Sequence, residues 1–356
     1  MIGAAPVTVP SIAAATAGIA GFVASLFVGS RLVPGVEREV VAADGECVRY
    51  RFNGLVLFAI VMSLAALAQW LGPGLAGLAR NRWSLFIAAN LLAWPAAAAM
   101  AWRPRAPGHP ALADFIYGRE RSPQLWGVDL KLFSYRPSLI GLALMNLSFA
   151  ALQFEESGTL SRAMICYQAF TFVYIANYFL FERGMLFTWD LIEENFGWML
   201  IWGDYVLVPF FYALPGLYVY LRPDDVTPGF AVGTALVYGF GFWLFRGANG
   251  QKHRFKERPS APIWGRPPRV VGNRLLASGF WGIGRKLNYT GEFLIYVSWT
   301  LLTGFQSPVP YLVPAWLLML LMQRAARDDR RCSRKYGSVW DDYCRTVKFR
   351  MFPYIY

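Results

Sequence analysis

QKHRFK (Gln251–Lys256), LLASGFWGIGRKLNYTGE (Leu275–Glu292) and RDDRRCSRKYGSVWDDYCRTVKFRMFPYIY (Arg327–Tyr356) dominate the last third of the chain. Basic, aromatic-laced segments here bracket an apolar stretch. Apolar segments suit a greasy ligand, and basic segments beside them suit an anionic one. The remainder of the chain supplies the solvent for this arrangement. Of its 356 residues 56% are hydrophobic and only 16% are charged, whereas a soluble domain carries about a quarter charged residues. There is too little polar side chain to coat a globule, so the bilayer is the expected solvent.

Apolar runs near the roughly 20 residues that a spanning helix needs recur near 11–33, 55–71, 83–102, 138–154, 162–182, 201–221, 228–246, 291–305 and 309–323. The first run has no basic region before it, which favours a retained helix over a cleaved signal. The fold class expected is an all-α polytopic membrane protein with about ten transmembrane helices. Between the first two runs, Pro34-Gly35 and Asp44-Gly45 are turn signals around an alternating stretch, so a small hairpin is expected there. Residues 103–137 mix Asp114, Glu120, Asp129 and Lys131 with Phe115, Tyr117, Trp126 and Phe133, a pattern suited to headgroup level.

The net charge of +12 is unevenly placed. From Lys252 to Lys286 nine Lys and Arg residues face one acid, Glu257. Cytoplasmic loops collect such cations, and phosphates bind them; both readings place this face in the cytosol. Nucleic acid ranks below these, because no soluble domain or basic tail carries it. Cys47, Cys166, Cys332 and Cys344 form no C-x-x-C pair, and His109 and His253 are the only histidines, so no metal-ligand cluster is expected.

Several residues stand out for chemistry. Asp204 interrupts an apolar run, where an acid faces either a cavity or a hydrogen-bonding partner in the bundle. Asp190 and Glu194 are spaced i, i+4, giving either a solvated interfacial helix or the polar end of a substrate pocket. Lys252 and Lys256 share a helical face, as do Asp328, Cys332 and Lys335/Tyr336. Gly337 is a natural helix stop. A second short helix from Val339 to Thr346 would fold back and bring Asp328 towards Tyr343, unless the pair is only a charged juxtamembrane hairpin. Gly279, Gly282 and Gly284 let a ligand approach the backbone, and Trp281 and Tyr289 either stack on a flat ring or anchor at the interface.

These stretches resemble the sterol reductases: C-14 sterol reductase, 7-dehydrocholesterol reductase, the C-24(28) sterol reductase and lamin B receptor. The resemblance lies in FRGANGQKHRF (245–255), LLASGFWGIGRKLNY (275–289), RDDRRCSRKYG-x₂-W-x₂-YC and the closing PYIY. Upstream it extends to LVPG…DG…YRFNGL, DFIYGRE, DLKLFSYRPSLIG and FGWMLIWGDYVLVPFFY, hence to most of the chain. It implies a ten-span fold, NADPH held by the C-terminal half and a sterol entering from the bilayer. Residues 1–136 would be N-terminal helices with an interfacial segment, 137–247 the helices of the sterol pocket, and 248–356 the NADPH region. The family's cofactor contacts carry over to Lys252, Lys256, Leu276, Trp281, Asn288, Tyr289, Asp328, Cys332, Ser333, Arg334, Lys335, Tyr336 and Tyr343. Relatives often have Arg at Lys256 and His-Pro or His-Phe at Lys286-Leu287. Lysine at 256 keeps the charge but loses the bidentate fork.

An isolated ring alkene is unpolarised, so an acid must protonate one carbon before hydride adds to the other. The resemblance points to Tyr343 with Asp328 as the proton-delivery pair, with Glu194 and Asp204 next. NLSFAALQ, IWGRPPRVV and VKFR look most like Δ7 reductases. Against that, Δ7 and Δ14 enzymes usually carry His-Asp at Glu193-Glu194, and ENFGWML and RKLNYT lean towards C-24 reductases. The expectation is reduction at C-7, with C-14 and C-24 as alternatives. Isoprenylcysteine-type membrane methyltransferases share a related tail but lack DFIYGRE and FGW…GD. A non-catalytic scaffold such as lamin B receptor has a basic N-terminal arm.

Overall fold

The computed structural model describes residues 4–41, 47–72, 74–102, 110–222 and 224–356. His109, the Asp44-Gly45 turn and the side chain of Cys47 lie outside the described residues. The chain divides into two compact units, Met1–Pro223 and Asp224–Tyr356.

The first unit opens with α1 (Val9–Leu32), whose N-terminus is closed by a reciprocal Thr8–Ser11 capping box. Strands β1 (Val36–Val41) and β2 (Cys47–Phe52) pair antiparallel, with Val36 opposite Phe52. Val48, Tyr50 and Phe52 alternate onto the buried face of this hairpin and pack on Leu132, Met185 and Leu191. Then come α2 (Gly54–Leu71), α3 (Ala76–Arg80), α4 (Arg82–Ala101), α5 (Ala111–Tyr117), the short pair β3 (Gln124–Leu125) and β4 (Val128–Asp129), α6 (Leu130–Ser157) and α7 (Arg162–Leu180). A 3₁₀ turn, Glu182–Phe187, leads to α8 (Trp189–Ile192). The last span is composite: α9 (Trp198–Trp202), a π-helical segment Gly203–Phe211, and α10 (Leu214–Leu221). Pro209 sits inside the π segment; it offers no N–H and would crowd the carbonyl four residues back in a regular α-helix.

The organising rod of this unit is α6. Asp129 caps it by accepting from Leu132 N at 2.7 Å. Its buried face carries Lys131, Ser134, Arg136, Ser138, Asn146 and Ser148. Polar groups inside a membrane bundle need partners, and most of these have them. Arg136 Nε donates to Glu182 Oε1 at 3.0 Å, and Glu182 Oε2 accepts from Gly54 N at 2.9 Å, tying α2, α6 and the 3₁₀ turn together. Small residues of α4, Ala89, Ala93 and Ala97, let α9 and the π segment approach through Ile201 and Val206, with Phe196 just before α9 in the same cluster.

The second unit contains α11 (Pro228–Glu257), the two-residue strands β5 (Val270–Val271) and β6 (Leu275–Leu276), α12 (Phe280–Ile283), α13 (Leu287–Leu301), a 3₁₀ turn Val309–Tyr311, α14 (Leu312–Tyr336) and α15 (Ser338–Thr346). Helices α11 and α13 cross at glycine: a Cβ on Gly291 would lie 2.4 Å from Phe245 N and 2.5 Å from Gly241 O. Gly337 stops α14 with φ +55°, and α15 begins at once, giving the helical hairpin read from the tail. The last residues fold back: Arg285 N donates to Phe349 O at 3.0 Å and Lys286 N to Arg350 O at 2.7 Å. Asp329 locks this return, accepting from Arg350 Nε at 2.5 Å and Arg285 Nη2 at 3.4 Å.

Among the described residues, eight helices are long and apolar enough to cross a membrane. They are 9–32, 54–71, 82–101, 130–157, 162–180, 198–221, 228–257 and 309–336. The run near 291–305 forms α13, whose 15 residues fall short of the 20 or so needed to span. Two boundaries also differ from expectation. Residues 130–137, expected at headgroup level, are the first turns of α6. The span expected to end near 246 continues as one helix to Glu257, so the Lys252 and Lys256 turns extend it.

Candidate active site

In the second unit four elements bring charged and aromatic side chains together. The end of α11 supplies Asn249, Lys252 and Lys256; the turn around α12 supplies Trp281 and Lys286; the start of α13 supplies Asn288 and Tyr289; and α14–α15 supply Asp328, Cys332 and Tyr343. Lys252 Nζ lies 4.4 Å over the Trp281 ring, a cation–π geometry. The ring is held from behind, where Trp281 Nε1 donates to Ala248 O at 2.8 Å. Lys252 keeps exposed surface although Lys286, Asp328 and Cys332 all lie within electrostatic range, so it lines an open cleft rather than a sealed core.

Lys286 Nζ forms an ion pair with Asp328 Oδ2 and lies 5.8 Å from the Tyr289 ring centre. Burial works against the Lys286 charge, but the Asp328 carboxylate overrides it and raises the ammonium pKa above the ordinary lysine value. Arg331 Nη1 reaches the other Asp328 oxygen at 3.9 Å. Asn288 Nδ2 donates to Asn249 Oδ1 at 3.2 Å. Its own Oδ1 is buried with no partner, an acceptor of the kind a bound amide or hydroxyl satisfies. Lys335 and Arg331 both fall within electrostatic range of Lys256. The cationic set, the indole and the orphaned amide oxygen together fit a phosphorylated dinucleotide.

Tyr343 does not meet Asp328 in the expected way. Its hydroxyl donates to Trp281 O at 3.3 Å, while Asp328 is engaged by Lys286. Burial raises the phenol pKa, so Tyr343 stays protonated. Cys332 packs against the Trp340–Tyr343 cluster. Leu276 lies in a core with Leu244, Ala248, Phe280 and Trp281. Ser333, Arg334 and Lys335 are exposed on α14, and Lys335 Nζ lies 5.4 Å over the ring of half-buried Tyr336. The i, i+4 and i+8 spacing made Asp328, Cys332 and Tyr336 legible as one face. Lys286 is legible in the sequence as one of the nine cations between residues 252 and 286 and as a departure from the family pattern, but no local spacing links it to a carboxylate 42 residues away.

Glu194 and Asp204 belong to the first unit. Asp204, 7% exposed, accepts from Ser134 Oγ. Glu194 Oε1 accepts from Trp189 Nε1 at 2.7 Å, and its carbonyl accepts from Lys131 Nζ, also at 2.7 Å. The helical face expected to join Asp190 and Glu194 does not form, because α8 ends at Ile192. Asp190 accepts instead from Tyr135 Oη at 3.0 Å. This second polar cluster is built on the first turns of α6.

The chain matches the Ergosterol biosynthesis ERG4/ERG24 family over residues 18–356. A Delta(14)-sterol reductase of Arabidopsis thaliana is 37% identical over 345 residues, 93% of each chain. A Delta(14)-sterol reductase of Methylotuvimicrobium alcaliphilum is 37% identical over 330 residues, 88% of this chain and 76% of the other. A 7-dehydrocholesterol reductase of Xenopus laevis is 35% identical over 256 residues, 67% of this chain and 54% of the other. Matched over nearly its whole length, this multi-pass helical chain belongs to the Ergosterol biosynthesis ERG4/ERG24 family of sterol reductases.

Proposed function

We propose that the protein is an NADPH-dependent sterol reductase acting on the Δ14 double bond. The observation that carries the cofactor half is the cleft of Lys252, Trp281, Lys286, Asn288 and Asp328. The substrate half rests on the relatives, of which two named Delta(14)-sterol reductases are 37% identical to this chain over the matched residues. Reduction at C-7, put first by the resemblance of NLSFAALQ, IWGRPPRVV and VKFR, is the second reading, favoured by the 7-dehydrocholesterol reductase match. Lys252 and Lys256 hold phosphate oxygens, Trp281 and Tyr289 present ring faces, and the Asn288 amide oxygen takes a hydrogen bond. Bound there, NADPH supplies a hydride. The basic end of α11 lies on the cytosolic side, following the excess of Lys and Arg.

The sterol alkene needs a proton first, and the chain must place that acid and exclude water. Tyr343 is the proposed donor, at Oη, a protonated phenol whose hydroxyl is held by Trp281 O at 3.3 Å. Asp328, ion-paired with Lys286, serves as fixed negative charge rather than as the acid itself. Such a preorganised charge favours a developing carbocation. Asp204 is the alternative donor, a buried carboxyl hydrogen-bonded to Ser134. The deciding experiment supplies purified protein and NADPH with Δ14, Δ7 and Δ24 sterols and identifies products by mass spectrometry. Turnover of Δ14 substrate is expected. Turnover of the Δ7 sterol alone would select the second reading, and no NADPH consumption with any sterol would overturn both.

A further inference from the structure

A cavity of about 300 Å³ lies in the second unit, lined by Trp243, Gly247, Gln251, Arg254, Phe255 and Trp264 among others. Its α11 residues, Trp243, Gly247, Gln251, Arg254 and Phe255, recur at i, i+4, i+8, i+11 and i+12, so they form one stripe. At about 100° per residue, Lys252 and Lys256 lie about 140–180° round the helix from Gly247. The cavity is therefore on the face of α11 turned away from the cleft described above. We infer that it binds the phosphate-bearing headgroup of an anionic membrane phospholipid.

The construction supports such an occupant. Phe280 forms the aromatic floor, edge-on to Trp243 at 4.9 Å and to Trp264 at 5.1 Å. Gln251, the polar floor residue, is already used, accepting from Phe280 N at 2.9 Å. Trp264 closes the cavity from a tight turn, in which Ile263 and Arg266 exchange both backbone hydrogen bonds. It adopts φ +50°, a conformation that a bulky residue rarely takes. Gly265 follows at φ +78°, so the pair has the left-handed backbone that a two-residue turn needs, and this fixes where the Trp264 ring stands. Arg254 brings the charge. It is exposed, and among the described residues its side chain makes a single 3.5 Å contact, to Gly250 O on its own helix. Among the described residues, no acid pairs with Arg254, nor with exposed Arg258 and Arg266 on the covering segment. The depth also fits: α11 is apolar to Phe245 and basic from Arg246. Trp243 and Phe240, each 54% exposed, offer their rings on the apolar side. Trp at this level and a basic rim are the usual partners of an acidic headgroup with its first acyl carbons. A freely soluble phosphate would use the cation and leave the exposed rings idle.

The test uses the full chain in phosphatidylcholine nanodiscs doped with phosphatidylglycerol carrying a diazirine near the glycerol end, with cross-links mapped by peptide mass spectrometry. Labelling is expected on the 243–264 stretch. Arg254→Gln should lower it about ten-fold, the worth of one charge-assisted hydrogen bond, and a Lys252→Gln change or saturating NADPH should leave it unchanged. Four results would overturn the inference: equal labelling by a zwitterionic probe, cross-links confined to other segments, displacement by inorganic phosphate, or suppression by NADPH. The last would make the cavity part of the nucleotide cleft. Because the readout is labelling, it stands or falls independently of sterol turnover.

Discussion

Lys286→Met tests whether the Lys286–Asp328 pair organises the cleft. Lys286 and Asp328 retain 9% and 16% side-chain exposure, so both charges are largely out of water. Removing one member of a buried pair costs about 3–5 kcal/mol, because the other is left uncompensated. Some compensation survives here. Arg331 stands 3.9 Å from Asp328 and Lys252 is within range, but Arg331 is 37% exposed. A partner so exposed is screened and returns about 0.2–1 kcal/mol. The net loss expected is about 2–4 kcal/mol. Lys286→Met combined with Asp328→Leu removes both charges and should recover at least about 1 kcal/mol of it. Unfolding of purified protein in detergent, followed by tryptophan emission, measures both. The pH profile adds a second check. Since the Lys286 pKa is raised, its stabilising contribution is complete below the ordinary lysine value of about 10.4 and is lost as pH climbs through the higher native value. The difference between wild type and Lys286→Met should therefore stay flat from about pH 6 to 9. Additivity of the two single changes within about 0.5 kcal/mol would refute the reasoning, as would a difference that decays across that range.

Asp129 caps α6 from a buried position, and burial raises its pKa against the bonds from Leu132 N. Its contribution is present below the ordinary aspartate value and is lost as pH rises through the raised one. Asp129→Asn keeps the cap without the charge and should stabilise the protein at pH 7 by on the order of 1 kcal/mol, as read by denaturant titration. Gly291→Ala places a methyl against Phe245 N and Gly241 O, backbone atoms that cannot rotate away. It should cost about 1–3 kcal/mol or more and lower the melting temperature in detergent. Lys252→Gln should raise the NADPH concentration for half-maximal tryptophan quenching about ten-fold while changing kcat little; unaltered quenching removes Lys252 from the cofactor site. Arg136→Met leaves Glu182 buried with one remaining partner, Gly54 N, and should destabilise by about 3–5 kcal/mol.

Hydropathy alone made the spanning helices legible, and Gly337 announced the tail hairpin, because both are local properties of the chain. The features that escaped are those set at a distance. Lys286 meets Asp328 across 42 residues of sequence, where the chain end returns to bond the Arg285 and Lys286 amides through the Phe349 and Arg350 carbonyls. Tyr343 faces Trp281 rather than Asp328 because α15 packs its Trp340–Tyr343 face on Ala277 and the β5–β6 turn. The Asp190–Glu194 periodicity misled for the opposite reason. A spacing of four predicts a shared face only within a helix, and α8 lasts a single turn. On α6, buried Lys131, Ser134 and Arg136 read as interfacial residues, since their partners come from Leu191, Asp204 and Glu182 much later in the chain.

Under the proposed function, the unbroken run of α11 from Pro228 to Glu257 makes the bilayer a participant in cofactor recognition. Its 30 residues extend about 45 Å, against an oily slab of about 30 Å. The lysines therefore ride on a stiff lever whose fulcrum is the hydrocarbon, with no hinge to decouple them. A thicker leaflet draws the ammonium groups towards the acyl chains, and a thinner one tips the rod. Hydrophobic mismatch would thus reach the proposed nucleotide site through a single helix, and a cofactor held by these lysines should be gripped differently in membranes of different thickness.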